Sequence, residues 1–78
     1  MDKIIKELKG KADKHLNKIE KHKPIKEDLE MEYKALKKDD KHKEKVGEQL
    51  LTTLLKMKYH EASAKTYLKT ATMLENNS

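Results

Sequence analysis

The sequence predicts a small all-α fold, and three observations carry that prediction. Apolar residues recur at spacings of three and four through three long segments, the signature of helices that turn one face to a core. Helix formers dominate, with two Gly, one Pro and no alternation of apolar and polar residues that would read as a strand. The chain has 78 residues and no Cys, Phe or Trp, so a single domain over residues 1–78 must be held by Leu, Ile, Met, Ala and three Tyr. A chain of this size buries only about 60% of the surface its unfolded form exposes, which makes self-association a ready source of extra stability.

The first helix is expected over about residues 2–23, where Ile5, Leu8, Ala12, Leu16 and Ile19 share one face. Gly10 lies inside it at a cost of about 1 kcal/mol, too little to break the run. Pro24 is expected to interrupt and to open a second helix over about residues 24–38. Proline suits a first helical turn, and Glu27 and Asp28 suit its positive end. Ile25, Leu29, Tyr33 and Leu36 make the apolar stripe of that helix. The polar run at residues 37–41 reads as a turn, with Asp39 or Asp40 as the N-cap of the next helix.

The third helix is expected over about residues 42–75, with residues 60–63 the place for any bend and a frayed tail at 76–78. It carries two stripes. One is Val46, Leu50, Leu54, Met57, Ala64, Leu68 and Ala71; the other is Leu51, Leu55, Tyr59, Ala62 and Met73, well over a quarter-turn away. A helix apolar on two faces needs neighbours on both. Two architectures supply them: a three-helix bundle, or a Pro-kinked arm lying antiparallel to the last helix in a hairpin that dimerises into a four-helix bundle.

The residues of enzyme chemistry are sparse. The only serines are Ser63 and Ser78, and neither sits in a nucleophile elbow. His15, His22, His42 and His60 form no H-E-x-x-H or H-x₃-H pair that would aim two imidazoles at one ion. His15 and His22, two turns apart, are expected to flank the seam of the bundle and could make it sensitive to pH. The carboxylate pairs Glu27-Asp28 and Asp39-Asp40 are sequence neighbours and diverge on a helix, so capping explains them. Residues 61–66 contain a Ser-Ala-Lys triplet, as in the guanine-contacting loop of small GTPases, but the chain has no phosphate loop and no room for βαβ units. No enzyme, metal or cofactor is expected. No stretch approaches the roughly 18 apolar residues of a membrane span, and residues 1–6 do not read as a signal peptide, so the cytoplasm is the expected location.

Charge is the remaining signal. Nineteen Lys and no Arg face fourteen acids, a net charge of +5. Lysine supplies a mobile point charge without the bidentate fork that reads guanine, which argues against sequence-specific DNA recognition. Lys3, Lys11, Lys14, Lys18 and Lys21 fall within about 80° of arc on the first helix, interrupted only by Glu7. This basic face suits an acidic protein surface, a phosphate backbone or an anionic membrane face, the last disfavoured by the lack of Trp and Phe. Because no aromatic interleaves the lysines along the chain, base stacking is not expected. The function expected is that of a non-catalytic regulatory or accessory protein. It would bind a partner protein, or a second copy of itself, through Leu51, Leu55, Tyr59, Ala62 and Met73. The alternative is a nucleic-acid-binding accessory protein using the basic face. Small size and lysine bias are shared with phage and mobile-element accessory factors, an analogy of composition only.

Overall fold

A computed structural model describes residues 2–77 as two antiparallel helices, α1 (Asp2–Ala35) and α2 (Lys41–Asn76), joined by residues 36–40. The described residues contain no strand, so the fold is all-α. The three-helix arrangement does not form: residues 2–23 and 24–35 are one continuous helix, and the chain is a hairpin, a rod 59 × 15 × 13 Å.

Pro24 sits inside α1 and does not end it. The buried and half-buried positions explain why. They step by three and four residues without a break from Ile5 through Ala12, His15, Ile19 and His22 to Leu29. On α2 they step likewise from Val46 through Thr53, Met57, His60 and Tyr67 to Leu74. A seven-residue repeat on both helices is the pattern of an antiparallel coiled coil, whose seam keeps each helix facing its partner. Proline in a helix interior costs about 3 kcal/mol, and seam contacts on both sides of residue 24 oppose that cost. Pro24 and Glu20 are both exposed, so the Glu20 carbonyl that loses its usual N–H donor can be hydrated.

The core is thin. Its buried apolar residues are Ile5, Ala12, Val46, Ala64 and Ala71, and the three alanines let the two backbones approach closely. Thr53 and His60 are buried with them. Thr53 is satisfied by donating its Oγ1–H to the Gln49 carbonyl at 2.9 Å, and no buried side-chain polar atom among the described residues lacks a partner. Leu54 and Leu68, expected in the seam, stand beside it at 38% and 40% exposure. A seven-residue repeat averages 3.5 residues per turn, so the stripe read at 3.6 drifts off the seam.

The turn matches its chemistry. Asp40 caps α2, accepting the His42 backbone N–H on Oδ1 at 2.9 Å, and the reversal uses no residue of positive φ. Lys43 straps the turn to α1, donating from Nζ to the Leu36 carbonyl at 3.3 Å and lying 4.7 Å from the centre of the Tyr33 ring. At the open end Lys9 and Glu75 pair at 2.6 Å across the hairpin. At the C-terminal end Asn76 is the last helical residue and the Asn77 N–H donates to the Met73 carbonyl; Ser78, the last residue of the tail expected to fray, lies outside the described residues. No described helix is long and apolar enough to cross a membrane.

Candidate functional site

Three histidines meet at mid-rod. His15 of α1 and His60 of α2 face one another with their Nδ1 atoms 2.8 Å apart, one ring's N–H donating to the other's lone pair. His22, two turns beyond His15, brings its ring centre to 6.0 Å from that of His60. It donates its own Nδ1–H to the Lys18 carbonyl at 2.6 Å, which fixes its tautomer. Burial holds the His60 imidazole below its ordinary pKa, and His15 when charged, Lys18, and His22 when charged push the same way. Among the described residues no group of three or more His, Asp or Glu side chains is arranged to hold a metal ion. The hydrogen-bonded pair is a seam contact that tolerates one proton between two rings and resists a second.

The basic face lies against this cluster. Lys11, Lys14, Lys18 and Lys21 line a shallow groove of about 350 Å³ together with His15 and Asn17. Lys3, exposed two turns before Lys11, lies outside it. Among the described residues no carboxylate pairs with any of the four groove lysines. Three lysines elsewhere on the helix differ: Lys9 pairs with Glu75, Lys23 with Glu20 at 2.9 Å and Lys26 with Glu30 at 3.7 Å. The hydrogen bond and charge of Glu20 raise the Lys23 pKa.

The fold then supplies what the linear sequence lacks. Tyr67 of α2 stacks on His15 with ring centres 5.7 Å apart and 17° between planes, and the Lys11 ammonium lies 5.8 Å from its centre. Tyr59 of α2 meets the edge of the same imidazole at 5.8 Å while remaining 62% exposed. Two aromatic rings therefore border the lysines after all, contributed by the opposite helix. The signal in the sequence is the pair Tyr59 and Tyr67 flanking His60, but its meaning depends on knowing which residues of α1 lie opposite.

The expected partner stripe on α2 lies outside the seam. Leu51 is 57% exposed, Leu55 62% and Met73 56%, and Tyr59 and Ala62 are also exposed. In helical register Leu51 and Leu54 lie toward the flank away from the lysine groove, Tyr59 toward it, and Leu55 and Ala62 between them on the outer surface. No protein-family model, no curated protein and no solved structure matches the chain.

Proposed function

We propose that this chain is a non-catalytic accessory protein that acts by contact, binding a partner protein through the outer apolar face of α2. The observation that carries the reading is that the seam closes without Leu51 and Leu55, which are left more than half exposed. An amphipathic surface of this kind suits helix-on-helix packing, and a second hairpin laid on it would complete a four-helix bundle. Burying Leu51 and Leu55 against a partner would remove from water two side chains each worth about 1.5–3 kcal/mol when fully covered. In a chain with so few buried apolar residues that gain is comparable to the stability of the hairpin itself.

The test is a charge placed on that face. Leu51→Asp and Leu55→Asp should keep the helicity of the parent by circular dichroism and lose self-association in sedimentation velocity, or lose a protein that the parent retains from host lysate. Unfolding of both variants would assign these leucines to the core and end the proposal.

A further inference from the structure

The groove on the other flank of the rod is a second surface, and its chemistry differs from that of the apolar face. We infer that the lysine groove of α1 and the exposed Tyr59 ring of α2 together bind single-stranded nucleic acid. Four lysines that no carboxylate pairs with among the described residues run along the groove, Lys11 to Lys21 covering about 15 Å of helix axis. Lys9, Lys23 and Lys26 of the same helix pair with carboxylates, whereas the four groove lysines converge on one face beside the rings. Beside them Tyr59 presents a largely exposed ring, and Tyr67 stacks on His15 beneath Lys11.

Lysines to follow a phosphate backbone and flat rings to receive unpaired bases are the two parts of a single-strand site. An acidic polypeptide would satisfy the lysines and leave the rings without a role. A duplex keeps its bases stacked inside and offers the rings little. With no Arg in the chain, affinity independent of base sequence is the expected behaviour.

The experiment uses the full chain and a short labelled oligo(dT), read by fluorescence anisotropy, with duplex DNA and polyglutamate as competitors. Binding should be measurable at about 50 mM salt, and log affinity should fall with log salt at a slope near −3, about −0.7 for each of four lysines. Lys14→Gln and Lys21→Gln should each flatten that slope by about 0.7. Tyr59→Ala should weaken binding by about tenfold, and Tyr59→Phe, which keeps the ring, should retain it. These side chains are exposed, and helicity measured alongside checks that the fold persists. No binding at low salt, equal binding of duplex, an unaltered affinity in Tyr59→Ala, or competition by polyglutamate as strong as by unlabelled oligo(dT) would each overturn the inference. Because Leu51 lies on the other flank, Leu51→Asp should leave oligo(dT) affinity unchanged, which separates this surface from the one proposed above.

Discussion

Lowering the pH from about 7.5 to about 5.0 adds protons in the range where imidazole titrates, and the hairpin accommodates one poorly at His60. The charged groups acting on that ring are His15, Lys18 and His22, all on α1 and all positive or able to become so. Its neighbours on α2 include the neutral Tyr59 ring, edge-on at 5.2 Å. With burial as the leading cause, the folded-state pKa of His60 lies below the unfolded value near 6.5. The unfolded chain therefore takes up the proton first. Stability is full above about pH 6.5, declines as pH falls toward the folded-state pKa, and levels off beneath it.

The size of the effect follows from the geometry. Charging both His15 and His60, with ring centres 5.0 Å apart, costs about 3 kcal/mol at an effective dielectric of about 20. Physiological salt, with a screening length of about 8 Å, roughly halves that figure for a site near solvent. Loss of the N–H···N bond between the rings adds about 1 kcal/mol. These contributions sum to about 2.5 kcal/mol, of which one group with an unfolded pKa near 6.5 can express about 2 kcal/mol by about pH 5.0, a large share of what so thin a core can supply. Urea titrations followed by circular dichroism at the two pH values measure it, with His60→Leu as the control. That variant removes the proton site and places an apolar side chain in the seam. It should unfold at higher urea than the parent and respond less to acid. The carboxylate pairs and His42 are common to both chains, so the difference between their pH responses isolates His60. Identical pH responses in parent and variant would refute the account.

Two further substitutions probe the helices themselves. At Gly10 an added Cβ meets nothing within 4 Å, so Gly10→Ala should stabilise by about 0.5–1 kcal/mol; at Gly47 it lands 3.1 Å from the Tyr33 ring, so Gly47→Ala should gain much less, both read from urea midpoints. Pro24→Ala should stabilise by about 2 kcal/mol, the gain of an interior N–H less the flexibility returned to the unfolded chain; a loss of stability would mean that the seam requires the proline.

What can be read in advance depends on the range of the physics. The turn at residues 36–40 and the Asp40 cap are local chemistry, and the sequence shows them directly. Propensity weighed without the seam misjudges Pro24. The seven-residue step runs straight past it, but five of its positions are His15, His22, Thr53, His60 and Tyr67, which a search for aliphatics passes over. The same search assigns Leu54 and Leu68 to a seam that they only border. The lysine ridge is legible because it belongs to one helix. Its aromatic border is not, since Lys11 and Tyr67 meet only once the register of the hairpin is known.

His15 joins the two halves of this molecule, because it lies in the seam against His60 and also lines the lysine groove. Positive charge that acid introduces at the seam is unfavourable in the free hairpin, where the fixed charge of Lys18 acts on His60 with the same sign. A phosphate chain lying in the groove would reverse that local balance, since its negative charges would sit beside the imidazoles that otherwise repel each other. Linkage then runs in both directions. Whatever factor protonation of the seam adds to polyanion affinity, bound polyanion must add to the seam's affinity for protons. With Ile5, Val46 and three alanines as the buried apolar core among the described residues, the hairpin has little stability in reserve against that exchange. An occupant of the groove would then set, together with the packing, how much acid the fold tolerates.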